Sequence, residues 1–147
     1  HYGPVTVQDA AYFFGLPQRE LLPLIESLSP REFVCEGKTF YRLDDINIIG
    51  DLSCCRFLAG FDPLMLGYEK KQSVFLPPEY LRGIFSLSGI VMPPVLLHGS
   101  AAGRWKHSGK RLLITQFRPF SQEERGFAEA AAAQLWGEAV QPVFQDT

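Results

Sequence analysis

The segment VTVQDAAYFFGLPQRELLPLIESLS, residues 5–29, constrains the chain most, because one apolar helical pattern stops and another starts across Gly15-Leu16-Pro17. Thr6 can cap a helix, and Asp9, three positions on, completes a capping box. Ala10, Ala11, Phe13 and Phe14 supply an apolar stripe. Gly15 then ends the helix in the left-handed conformation that other residues adopt at a cost. After the Leu16-Pro17 turn, Leu21, Leu24, Ile25 and Leu28 recur at helical spacing on one face. A small residue where the helices cross (Ala11) and a glycine four positions later fit a helix-turn-helix. Pro23 removes a backbone donor and is expected to kink or shorten the second helix. Next, in REFVCEGKTFYRL, Phe33 and Cys35 alternate with polar neighbours, Glu36-Gly37-Lys38 forms a tight turn, and Thr39, Phe40 and Tyr41 return as a strand. Two helices followed by a hairpin make a winged helix, assigned to residues 1–52.

Residues 53–147 read as a small basic mixed α/β, barrel-like domain ending in a helix, so the expected class is α+β. A buried strand is expected over Cys55–Ala59. In GFDPLMLG, Asp62 is an N-cap, Pro63 suits the first helical position, Leu64, Met65 and Leu66 are expected to bury, and Gly67 stops the turn. LPPEYLRGIF opens another short helix at its prolines. Three strands follow in GIVMPPVLLHG, AAGRWKH and KRLLITQFRPF, joined by turns at His98-Gly99-Ser100 and Ser108-Gly109. Alternation places Leu96, Ala102, Trp105, Leu113 and Thr115 on one face. Ser121 and Glu124 form a second capping box for a terminal helix whose inner face is expected to carry Phe127, Ala131 and Leu135.

Charge is unevenly distributed. Net charge is −2, yet residues 80–122 contain no acid and six cations: Arg82, Arg104, Lys106, Lys110, Arg111 and Arg118. Residues 1–54 carry eight acids against four cations. A polyanion would therefore choose the later region. The second helix of the helix-turn-helix exposes Gln18, Arg19, Glu20 and Glu26, a poor set for the major groove, because phosphate attraction supplies most affinity. The three cysteines, Cys35, Cys54 and Cys55, form no disulfide framework and no zinc spacing. They point to a reducing, cytoplasmic setting. No metal or cofactor is expected, and no apolar run is long enough to span a membrane. The opening HYGPVTV lacks an initiator Met, a basic n-region and an apolar h-region. The expectation is a chain without a signal peptide, cut from a longer one.

Three motifs in order resemble the C-terminal half of winged-helix DNA glycosylases of the AlkZ/YcaQ type. They are Gly3, Pro4, Thr6 and Asp9; then Phe61, Asp62, Leu64, Leu66, Gly67 and Tyr68; then Leu97, Gly99, Gly103, Trp105 and Lys106. The resemblance implies tandem winged helices and a small β-barrel cradling double-stranded DNA. It also implies excision of bulky alkylated bases or unhooking of interstrand crosslinks. The family's catalytic element is a Gln-x-Gln or Gln-x-Asp pair on an earlier winged helix. None of the eight glutamines here begins such a pair. No catalytic residue is therefore assigned, enzymatic activity is left open for this stretch, and upstream winged-helix domains of the same chain are expected partners.

The expected DNA-binding set is Arg104, Lys106, His107, Lys110 and Arg111 on the hairpin, with Lys70, Lys71 and Arg82 extending it. Trp105 has two readings: a plug in the core beneath the hairpin, or a ring laid against DNA. A non-catalytic winged-helix module that binds DNA or a protein partner is the alternative function.

Overall fold

A computed structural model describes residues 3–43 and 54–147. It divides into two compact units: residues 1–50 with 66–69, and residues 51–65 with 70–147. The expected boundary at residues 52 and 53 lies outside the described residues.

In the first unit, α1 (Val7–Phe14) starts at Thr6 through both halves of its capping box. Asp9 N donates to Thr6 Oγ1 at 3.0 Å and Thr6 N to Asp9 Oδ2 at 3.0 Å. Gly15 closes the helix at φ 65°. α2 (Gln18–Ser27) runs through Pro23 for ten residues rather than stopping there. The hairpin of β1 (Arg31–Cys35) and β2 (Lys38–Arg42) turns at Glu36 and Gly37, both at positive φ. Only part of the expected apolar face is covered: Leu21 is buried and Ile25 half-buried, while Leu24 and Leu28 are exposed.

Residues 66–69 join this unit through a clasp. Glu69 N donates to Asp9 Oδ1 at 2.9 Å, and Tyr68 Oη to the Pro4 carbonyl at 3.2 Å. Asp9 is buried, so each carboxylate oxygen has a structural use: Oδ2 holds the capping box and Oδ1 holds a strand of chain sixty residues away. Two sequence motifs that looked independent therefore meet at one side chain.

The second unit is built on a five-stranded sheet in the order β3 (Cys55–Phe57), β4 (Pro94–Leu97), β5 (Ser100–Ser108), β6 (Arg111–Gln116), β7 (Gln141–Asp146). Neighbours are antiparallel except β6 and β7, which are parallel. A parallel neighbour needs a crossover, and α5 (Gln122–Trp136) provides it. β7 was not expected from the sequence, where its short alternation VFQ is weak. Before the sheet's second strand come α3 (Pro63–Leu66), a 3₁₀ turn at Pro78–Tyr80, and α4 (Leu81–Ile84). Asp62 caps α3, accepting from Leu64 N at 2.9 Å. Of its three apolar residues only Met65 is buried; Leu64 is half-buried and Leu66 exposed.

Each sheet face has its own core. Val95, Leu97, Ala102, Leu112 and Ile114 pack against α5 with Phe120, Ala128 and Ala132. Leu96 and Ala101 pack the other way, with Met65, Leu76, Ile84, Phe85 and Val91. The expected single face is thus corrected: Leu96 lies opposite Ala102 and Trp105, and on β6 it is Leu112 and Ile114 that face α5, not Leu113 and Thr115. Leu113 and Thr115 fall on the other face because Trp105 pairs with Ile114, whereas Leu96 and Trp105 are parted by one extra residue. Val95 pairs with Gly103 but Leu96 with Ala101, so Ala102 bulges from β5 and resets its alternation. α5 likewise turns Glu124, Ala128 and Ala132 inward, with Phe127 and Ala131 partly buried, while Leu135 is exposed. Alanines bring the helix close to the sheet, and leucine at those positions would hold it off.

Candidate nucleic-acid interface

The β5–β6 hairpin carries most of the expected DNA-binding residues, and the pleat sorts them by face. Trp105 and His107 point toward α5. Trp105 Nε1 donates to the Leu58 carbonyl at 2.8 Å, and its ring lies 5.0 Å from Trp136 and 6.1 Å from Phe57. His107 stacks on Trp136 at 5.3 Å and 17°, and its buried Nε2 has no hydrogen-bond partner among the described residues. Both side chains are half-buried. This aromatic layer closes the core under the hairpin tip, with Trp105 packed within it.

Arg104, Lys106 and Arg111 emerge on the opposite face. Arg104 stands across from Thr115, Lys106 from Leu113, and Arg111 from Ser108. Residues two apart on a strand are separated by about 7 Å, and diagonal neighbours by about 7–8 Å. Lys110 is exposed at the turn beside Gly109. Lys106, Lys110 and Arg111 make no ion pair with any described residue. β7 extends the same face: Gln141 pairs with Arg111, and Gln145 Nε2 donates to Thr115 Oγ1 at 2.9 Å. Sequence reasoning missed both glutamines, since nothing local announced a parallel neighbour for β6.

The remaining cations separate into two kinds. Arg104 Nη1 reaches the Gly83 carbonyl at 3.5 Å, which places exposed Arg82 of α4 beside the same face. Lys70 Nζ lies 4.4 Å above the Phe85 ring, and Lys71 is exposed next to it. Arg118 is different. It forms a bidentate pair with Glu124, at 2.8 Å for Nη1 to Oε2 and 2.5 Å for Nη2 to Oε1. That pairing, aided by the Ser121 backbone N–H and Arg118's charge, pulls the Glu124 carboxyl down to about 2 and raises the Arg118 guanidinium. Arg118 is thereby tied to the start of α5.

The first unit offers shape without evident chemistry. A cavity of about 490 Å³ is lined mainly by apolar residues, among them Ala10, Phe13, Phe14, Ile25, Leu28 and Tyr41. Its carboxylate, Asp9, is spent in the clasp. No group of three or more potential metal ligands occurs among the described residues. Cys55 is buried, which pushes its thiol up to about 12 and leaves it unreactive. No helix among the described residues is long and apolar enough to cross a membrane.

Comparison with known proteins agrees with the sequence motifs. The chain is 34% identical over 70 residues to an interstrand DNA cross-link repair glycosylase of Streptomyces sahachiroi, a match covering 48% of this chain and 18% of that protein. Its fold matches the solved Streptomyces sahachiroi DNA glycosylase AlkZ with a TM-score of 0.75 at 22% identity, over 99% of this chain and 42% of the other. The chain therefore spans less than half of each relative. The family described as DNA glycosylase AlkZ-like matches residues 1–137, and the chain belongs to that family.

Proposed function

We propose that this chain is the DNA-binding C-terminal region of a DNA repair glycosylase acting on alkylated or crosslinked bases. On this reading residues 1–52 are a winged helix and residues 53–147 a barrel-like basic domain, both serving to seat duplex DNA. The supporting observation is the segregation of the hairpin: cations without ionic partners among the described residues on one face, aromatic packing on the other. Arg104, Lys106, Lys110 and Arg111 contact phosphates, with Lys70, Lys71 and Arg82 extending the track. Trp105 and His107 support the hairpin from beneath.

The chemistry resides elsewhere in the longer protein. The chain contains no Gln-x-Gln or Gln-x-Asp pair and no nucleophile–base set, and its relatives are more than twice its length. Upstream winged-helix domains then supply the water-positioning residues, and the protein works in the cytoplasm without a metal or cofactor. The test is base release from alkylated and crosslinked duplexes by the full-length protein beside residues 1–147 alone. Activity in the former and none in the latter is expected. Inactivity of the full-length protein on every such duplex, with duplex binding retained, would favour a non-catalytic DNA-binding module.

A further inference from the structure

Leu87 is 89% exposed, the most exposed of the large apolar side chains among the described residues. A lone surface leucine is ordinary, but this one is mounted on a fixed support. Phe85 and Val91 bridge below it, and Ser86 N donates to the Ile90 carbonyl at 2.9 Å. Ile90 N donates to Ser86 Oγ at 2.9 Å, Gly89 N to the Ser86 carbonyl at 3.2 Å, and the Ser86 and Ser88 hydroxyls pair at 3.0 Å. Gly89 takes φ 83°, a backbone conformation that residues with a side chain rarely adopt. The backbone groups are satisfied inward, and the apolar side chain is held in water, with half-exposed Ile90 behind it.

The loop's base is cationic. Lys70 Nζ sits over the ring of Phe85, the residue before the loop. Arg82 is exposed on α4, whose Gly83 carbonyl meets Arg104 of the basic strand. The loop thus grows from the layer that covers the cationic side of the sheet. One rigid leucine and one isoleucine offer far too little area for a protein interface, which needs about 800 Å² on each partner. They do match the size of the gap opened at a single base step. Proteins that kink duplex DNA insert apolar wedges of this type while cations hold the phosphates on either side.

We infer that Leu87 is a wedge that enters a base step of bound duplex DNA, with Ile90 following it and Arg82 and Lys70 anchoring the flanking phosphates. The inference rests on the reading of this chain as a duplex-binding region. The experiment uses the full-length protein and duplexes holding a tetrahydrofuran abasic site to fix the register, with 2-aminopurine walked across the flanking base pairs. Binding is followed by anisotropy and unstacking by 2-aminopurine fluorescence. The wild type should brighten 2-aminopurine at one step. Leu87→Ala, at a site with almost no packing to lose, should cut that rise by about half or more, and Leu87→Phe should restore it. Duplex binding with no brightening at any position, or equal brightening in wild type and Leu87→Ala, overturns the wedge alone. Failure of the wild type to bind duplex overturns both the wedge and the DNA-binding reading, and loss of a protein–protein contact in Leu87→Ala without change on DNA assigns the loop to a protein partner instead.

Discussion

The two faces of the β5–β6 hairpin use the same few residues for opposite ends. On the face toward α5, Trp105 and His107 are covered by Trp136 and Phe57, and the indole N–H is satisfied by a backbone carbonyl. On the other, Lys106 and Arg111 are exposed and make no ion pair among the described residues, while Arg104 reaches the Gly83 carbonyl. In a strand whose side chains alternate, neighbours in sequence are not neighbours in space. A charge count along Arg104–Arg111 registers one basic aromatic patch; the pleat divides it into an aromatic packing layer and a cationic, solvent-facing layer.

Breaking the cationic layer should give the largest effect. The variant Lys106→Glu/Lys110→Glu/Arg111→Glu in the full-length protein is expected to weaken duplex binding by roughly two to three orders of magnitude at low salt. Its melting temperature should stay near that of the wild type, since these side chains pack against little. Unchanged affinity by anisotropy would remove the hairpin from the interface.

Breaking the structural layer should move stability instead. Trp105→Ala is expected to cost about 2–3 kcal/mol in urea unfolding, below the full penalty for a buried tryptophan because the ring is half-exposed. Gly103→Ala sharpens the comparison at the bulge that sets the faces. Its new methyl would lie 2.7 Å from the Thr115 carbonyl oxygen and 3.4 Å from the Phe120 ring. A backbone atom cannot step aside as a side chain can, so a loss of about 1–3 kcal/mol is expected.

The smallest effect belongs to the ion pair of Arg118 and Glu124. The Glu124 carboxyl, held near 2 against an ordinary 4.5, adds stability that is complete above about pH 4.5 and fades as pH falls toward 2. With the pair partly solvent-exposed, that contribution is about 1 kcal/mol or less. Thermal melts of Glu124→Gln between those limits should show a flatter pH dependence than the wild type, and parallel curves would contradict the assignment.

What could be read from the sequence was local. Thr6 with Asp9 and Ser121 with Glu124 are capping boxes within one helical turn, and both form as written. Glu36-Gly37 and His98-Gly99 turn their hairpins because positive φ is tolerated there. What escaped was set by partners far along the chain. No residue near Ala102 signals that it is the extra one in a register fixed against β4, and that extra residue puts Leu96 and Trp105 on opposite faces. β7 becomes a strand only by lying beside β6 after a helical crossover, which hid Gln141 and Gln145 from the candidate interface. The bond that Asp9 Oδ1 accepts from Glu69 N joins motifs whose spacing carries no periodic signal.

On the proposed reading one hairpin face meets phosphates while the other holds the fold. The most direct test is the salt dependence of duplex affinity for Lys106→Ala/Lys110→Ala/Arg111→Ala beside Trp105→Phe, each in the full-length protein. The triple variant should lower the slope of log K against log salt by about 3, with unfolding unchanged. Trp105→Phe should leave the slope alone and lose about 1 kcal/mol of stability with its indole hydrogen bond. A wild-type slope in the triple variant would contradict the account, as would a slope change in Trp105→Phe.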